Sequence, residues 1–474
     1  MIAFLFSFYS CQKDLDIVQD NQLSASNMWK TSDDVNSAVF GAYVYLRNTF
    51  KTQLMYWGEY RDGLWGPGTF GTLHNPDMSA TVSATMTSVN AYASWTQLYT
   101  TINLLNLIIN KTHAMNINQE TRDFGLGQAY FLRAYCYFWI ARIWGDAPLP
   151  LEGFESTGQD LYLSRTPQAE VLQQVEKDID SCGQHIATGT TDKTLATTPA
   201  YNMLKADFAL WMYSVQNGGE GYLTMAQTAI DALKLTPDRL VSDYGSIFNT
   251  NSKKGKEVIW VIGQEQGESE GGFMRMQLWN GAYLQAQYRN TTVPIIENQW
   301  WVYTDKYVDI LTGDPKDQRT DVSLGSGNYG TNGERVTWAN KYVGSLVSGT
   351  RVLDDDIILY RYAQGYLFEA ELKYYQKDYA GALEALNVIA KRAYGTDGYY
   401  TDLQPEAVLH GIVLENLREF ASEGNIWWTL IRTNTVWDYN ASLRQQKNKE
   451  NILLWPITQS ALNRNRNLTQ TEGW

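Results

Sequence analysis

The segment DYAGALEALNVIAKRAYG, residues 378–395, does most to constrain the fold. Tyr379, Ala382, Leu383, Leu386, Ile389, Ala390 and Ala393 recur at three- and four-residue steps, so they share one helix face. Small and large apolar residues alternate along that face. Such a stripe is buried only against a second helix, and ILYRYAQGYLFEAELKYY, residues 358–375, reads as that partner. Further helical segments are predicted within residues 31–48, 94–111, 125–145, 164–182, 199–216 and 222–235. In the first, Val35, Ala38, Val39, Ala42, Tyr43 and Leu46 form the buried face, Thr31 or Ser32 can cap it, and Asp33 and Asp34 suit its positive end. Gly145 and Pro148 end the third, and Pro167 sits where the next helix tolerates a missing N–H. Helix–turn–helix units of this kind cannot bury their faces alone, so they stack. The expected class is mainly α, a tetratricopeptide-like helix-pair scaffold interrupted by long insertions.

Two stretches break the helical rhythm. The first is YWGEYRDGLWGPGTFGTLHNPD, residues 56–77. The second is residues 241–355, with the Gly-rich runs GQEQGESEGG and SGNYGTNG and many irregular aromatics. Long loops in a compact protein are usually functional or disordered. Only KEVIWVIG, residues 256–263, reads clearly as a strand. The chain thus divides into a scaffold at about 31–240 and 356–474 and a loop-rich ligand lobe at about 241–355, within a single domain spanning 31–474.

The chain of 474 residues carries a net charge of −13, which argues against nucleic acid as a partner. Seventeen Trp and 31 Tyr residues supply large apolar faces with polar handles, the composition of recognition surfaces. Three cysteines are too few for a disulfide framework. Cys136 reads as a small core residue, and Cys182 is left open between a free thiol and a partner for it. Cys11 follows the apolar run Ile2–Tyr9, which is too short to span a bilayer. Residues 1–10 read as a signal peptide, Ser10-Cys11 as a lipoprotein cleavage site, and residues 11–30 as a tether whose Cys11 carries the lipid anchor.

No catalytic or metal motif emerges. His74, His113, His185 and His410 lie outside any HExxH or Cys/His spacing, and no GxSxG or Walker loop occurs. Asp354, Asp355 and Asp356 read as a solvated helix start. In ENLREFASEGNIWWTLIRT, Arg418, Glu419, Glu423 and Arg432 lie among apolar residues and predict ion pairs to neighbouring helices, and Glu415 shares a face with Arg418. Asp146 is expected to fix a turn. The expectation is therefore no enzyme, no cofactor and no metal.

Read in order, the segments resemble the SusD/RagB family. MWKTSDDVNSAVFGAYVYL is similar to that family's first helix. WTQLYTTINLLNLII resembles its W…LY..I..aN pattern, with Asn106 at the Asn. GQAYFLRAYCYFWIARIWGDAPLP, LYRYAQGYLFEAELKY, LENLREFASEGNIWWTLIRT and LLWPITQSALNRNRNLTQTEGW resemble the following motifs, with Gln364, Asn425 and Thr429 departing from the usual residues. The resemblance implies a lipid-anchored, outer-membrane glycan-binding protein at the cell surface that delivers oligosaccharides to a SusC-type TonB-dependent transporter. The alternative it leaves open is a peptide-binding lipoprotein of the RagB type. A glycan-degrading enzyme is the remoter reading. Flat rings that stack on sugar faces are then expected among Arg61, Asp62, Trp65 and Asn75 of the first loop, and Trp279, Tyr283, Tyr288, Trp300 and Trp301 of the second, with the polar members binding hydroxyls.

Overall fold

The computed structural model describes residues 28–68, 75–267, 273–277, 281–289 and 299–474. Cys11, the leader at 1–10, most of the 11–30 tether, His74 and Trp279 lie outside the described residues.

The first half is helical: α1 (Ser32–Gly58), α2 (Pro76–Val82), α3 (Thr96–Ala114), α4 (Gln119–Trp144), α5 (Gln168–His185), α6 (Thr198–Ser214) and α7 (Glu220–Leu233). Thr31 caps α1 reciprocally with Asp34, as the local sequence predicts. Helices α3 and α4, α4 and α5, and α6 and α7 pack as neighbours. Arg133 of α4 locks this arrangement. It grips buried Asp178 of α5 with both ends of its guanidinium, at 2.7 and 2.8 Å, and donates to Asn106 of α3 at 2.8 Å. Asn106 in turn donates to the carbonyls of Pro150 and Glu152. Asp146 accepts from the backbone N–H of Gln168 at 2.8 Å, fixing the turn into α5. Cys136 and Cys182 are both buried free thiols, which closes the question of their pairing.

The scaffold resumes with α10 (Tyr362–Tyr375), α11 (Tyr379–Tyr394), α12 (Pro405–Glu419), α13 (Ile426–Arg432), α14 (Val436–Tyr439), α15 (Ala441–Gln445) and α16 (Gln459–Arg464). The stripe of α11 is buried at Ala382, Leu383, Leu386, Ile389, Ala390 and Ala393.

Between the two helical blocks lie α8 (Asp305–Thr312), α9 (Thr320–Ser323) and a set of short ladders. Here β2 (Val258–Ile262) pairs with β8 (Ile357–Arg361), β4 (Leu324–Tyr329) with β5 (Glu334–Ala339), and β6 (Ser345–Val347) with β7 (Thr350–Val352), all antiparallel.

Two sequence expectations fail at β8. Residues 358–361 belong to a strand rather than to the helix that follows. The apolar run Ile357–Tyr360 is buried on both faces, so it shows no helical period. Asp354, Asp355 and Asp356 precede that strand and are buried, not solvated. Asp356 Oδ1 accepts from the N–H of Gln264 at 3.0 Å, and Asp354 from that of Ser345 at 3.1 Å. Burial, reinforced by Asp354, pushes the Asp355 carboxyl up to about 7.

Candidate functional site

The two irregular loops meet. Strand β1 (Trp65–Pro67) pairs with β3 (Trp301–Tyr303), setting Trp65 opposite Tyr303 and Pro67 opposite Trp301. The ladder continues through Gly68 N–H to Trp300 O at 2.7 Å and Thr304 N–H to Leu64 O at 2.9 Å. β3 also lies beside β5, and Gln299 donates to Thr337 O at 2.8 Å. Residues far apart in sequence thus form one aromatic layer at the end of α1.

Most rings of this layer face inward, which corrects four assignments. Trp65 is fully buried and donates its indole N–H to Glu59 at 2.9 Å. Trp301 is buried and stacks on Tyr60 at 4.0 Å. Neither can offer a face to a ligand. Arg61 is buried, donates to the carbonyls of Ile452, Leu453 and Leu454, and lies 4.9 Å over the Trp427 ring. Burial alone lowers its pKa to about 9. Asp62 is fully buried and accepts from Leu64 N–H at 2.7 Å, and burial together with Glu59 holds its carboxyl well above the usual range. Both charged residues brace the loop against the rest of the fold.

The outward positions are different. Alternation along β3 sends Trp301 and Tyr303 into the core and leaves Trp300 and Val302 half-buried on the other side. Asn75 caps α2, accepting from Met78 N–H at 3.3 Å, and donates to the Tyr92 hydroxyl at 3.0 Å. Tyr92, not singled out from sequence, is half-buried and stacks face to face on buried Tyr56 at 3.5 Å. Tyr56 in turn meets Trp301 edge-on at 5.9 Å. The only signal for Tyr92 was a lone ring in the polar turn before α3. Tyr283 is 49% exposed, and half-buried Tyr288 packs over Leu284, Val336 and Trp338 beside the β4–β5 hairpin. The structure therefore holds Asn75 and Tyr92 together, leaves Trp300 partly buried on the opposite side of the strand from Trp301, and places Tyr283 and Tyr288 beside the β4–β5 hairpin.

A lattice of buried charges seats this layer on the scaffold. Arg319 binds Glu415 at 2.7 Å and Glu419 at 3.0 Å. Arg361 binds Glu257 at 3.0 Å, Glu423 at 2.9 Å and Glu419, and Arg392 joins Glu257 and Glu419. Burial would raise the Glu419 carboxyl, but Arg392, Arg361 and Arg319 override it and hold it well below the usual range. The expected ion pairs of this segment are present, including Arg432 with Glu371 at 2.8 Å, whereas Arg418 turns to Tyr394 and the Ile310 carbonyl. Glu59 accepts from Ser422 and Gly424 N–H at 2.8 and 2.7 Å. Here α1 touches the turn so closely that a Cβ on Gly58 would lie 1.7 Å from the Gly424 carbonyl. Among the described residues no cluster of His, Cys, Asp and Glu could hold a metal ion, and no helix is long and apolar enough to cross a membrane.

Residues 187–474 match the SusD family, and residues 68–204 match a family described as starch-binding, associating with outer membrane. The SusD-like protein P38 of Formosa agariphila is 24% identical, covering 94% of this chain and 92% of its own. NanU of Bacteroides fragilis superposes with a TM-score of 0.83 at 25% identity, covering 96% of this chain and 99% of that one. A SusD superfamily protein from Bacteroides vulgatus gives a TM-score of 0.81 at 26% identity, covering 94% and 100%. With more than half its length matched by one family, and architecture shared along nearly all of it, this chain belongs to the SusD family.

Proposed function

We propose that this chain is a cell-surface glycan receptor, anchored at the outer membrane through Cys11, which captures oligosaccharides and passes them to a SusC-type TonB-dependent transporter. It binds; it does not cleave. The observation that carries the reading is the split of Trp300 and Trp301. One indole is fixed in the core, and its neighbour lies on the opposite side of the strand and is only partly buried. An indole or phenol pre-positioned in this way stacks on the apolar C–H face of a sugar with little loss of side-chain entropy. Asn75, whose oxygen caps α2 and whose amide donates to Tyr92, keeps one N–H for a sugar hydroxyl. Trp279, Tyr283 and Tyr288 extend the same surface in this proposal. The match to a family described as starch-binding and associating with outer membrane supports both the cargo and the location. Of the cations that seat the layer, Arg61 turns to carbonyls and Arg319 and Arg361 to carboxylates, whereas Arg289 and Arg335 beside the hairpin are exposed.

The test is affinity electrophoresis and calorimetry against a panel of soluble polysaccharides and short peptides. Retardation by at least one glycan, without product release, is expected. Trp300→Ala should weaken it about tenfold, equivalent to about 1.4 kcal/mol. Binding of peptides alone would replace the sugar reading with peptide capture, and turnover of a glycan would make the chain an enzyme.

A further inference from the structure

The scaffold carries a concave surface away from the aromatic layer. A cavity of about 470 Å³ opens where α6, α10 and α13 end, lined by Tyr213, Asn217, Tyr374, Tyr375 and Asn434 among others. Its size falls in the roughly 300–1,000 Å³ range of small-ligand sites. No residue of the 241–355 lobe lines it.

Its chemistry is that of a saccharide cradle. Tyr375 is the fixed wedge: its hydroxyl donates to Arg432 O at 2.7 Å, and Arg432 is itself pinned by Glu371 and Asp207. Tyr213 and Tyr374 flank it, with ring centres 5.2 and 5.7 Å from that of Tyr375 at angles of 54° and 65°. All three rings are half-buried, so each keeps part of a face toward solvent. The hydroxyls of Tyr213 and Tyr374 and the Asn217 amide form no hydrogen bond among the described residues. Asn217 and Asn434 both adopt left-handed backbone, with φ of 54° and 57°, just beyond α6 and α13. The Asn434 carbonyl oxygen holds the Trp437 indole at 3.0 Å, leaving its NH₂ to donate. Rings and amides converge here, and Arg432, the charged residue of the lining, is neutralised by Glu371 and Asp207.

We infer that this tyrosine-lined cavity is a second binding site for a neutral saccharide, separate from the aromatic layer around Trp300. The inference rests on the glycan-receptor reading above. Two sites on one receptor would raise retention of a long polymer through effective concentration, without a new contact at either site.

The experiment is isothermal titration calorimetry of the full chain with α-1,4-, β-1,4- and β-1,3-linked glucan hexasaccharides and a β-1,4-mannan hexasaccharide. Wild-type protein should titrate at two sites with at least one of them. The Tyr213→Ala/Tyr374→Ala pair should weaken one site about tenfold or more and leave the Trp300-dependent site in place. Asn217→Gly keeps the left-handed turn and removes only the amide, so a several-fold loss at the same site is expected with an unchanged Tm. A single site, abolished by Trp300→Ala and indifferent to Tyr213, Tyr374 and Asn217, would overturn the second site and spare the receptor. No binding of any probe by wild-type protein, with peptides bound instead, would overturn both.

Discussion

The helical scaffold and the aromatic layer use the same residue types toward opposite ends. In the scaffold, Phe50, Tyr135, Trp139 and Trp428 meet edge-to-face or tilted inside helix interfaces, with Trp139 and Trp428 centred 5.2 Å apart. These rings sit between helices and follow the helical repeat, two of them also under Arg142. In the aromatic layer Trp65, Trp301 and Tyr303 stand on three-residue strands, positioned by cross-strand pairing and by the charge lattice around Glu419. The contrast shows that a ring becomes available to a ligand only where something other than its own burial holds its backbone in place. Hydrophobic packing consumes the faces it stabilises; directional bonds can hold a ring while leaving one face uncovered.

The contrast breaks most severely at Glu419. Glu419→Ala would leave Arg319, Arg361 and Arg392 short of their shared carboxylate. Loss of one partner in a buried ionic network costs about 3–5 kcal/mol, to be read from urea denaturation. The scaffold's ring clusters lie outside that network, so limited proteolysis should cut residues 241–355 before α3–α6. Next in size is Trp301→Ala, which empties the site beside Tyr60 and should cost about 3 kcal/mol or more. It should also weaken glycan binding through the slackened strand rather than through a lost contact.

A smaller effect concerns pH. Asp355 binds its proton more tightly in the fold than in the unfolded chain, with a folded pKa of about 7. The stability linked to it is complete below the unfolded carboxylate pKa of about 4 and is lost as pH rises through about 7. Asp355→Asn should remove that decline, on the order of 2 kcal/mol, in denaturation curves compared at pH 5 and pH 8. Smaller in stability is Trp300→Ala, expected to cost about 1 kcal/mol, less than Trp301→Ala, because its ring is only partly buried against the core, while binding falls as proposed. If Trp300→Ala and Trp301→Ala instead lost stability equally, the division between an outer and an inner ring would fail.

The sequence made the scaffold readable because helices write their contacts locally. The stripe from Tyr379 to Ala393 names its own buried face, and the Arg and Glu residues among apolar neighbours at 415–432 announced their pairs. The layer was less legible. Trp300 and Trp301 look alike in the chain, and only pairing with residues 65–67 decides which one turns inward. Arg61 and Asp62 looked like binding groups because they share a loop with Trp65, yet their partners lie at Ile452–Leu454 and within the loop itself. Asp354–Asp356 resembled a helix start because the strand after them has no alternation to reveal it. Tyr92 went unnoticed because its role depends on Tyr56, a ring more than thirty positions away.

The β1–β3 ladder joins residues 65–67 to residues 301–303. A closure of that span carries a heavy entropic charge in the early chain and forms late. As the polypeptide emerges from synthesis, the leading helices can dock on one another while the outer indole still has no strand to stand on. If the proposed site is right, a chain truncated before residues 301–303 would fold its front helices yet lack the strand that orders Trp300.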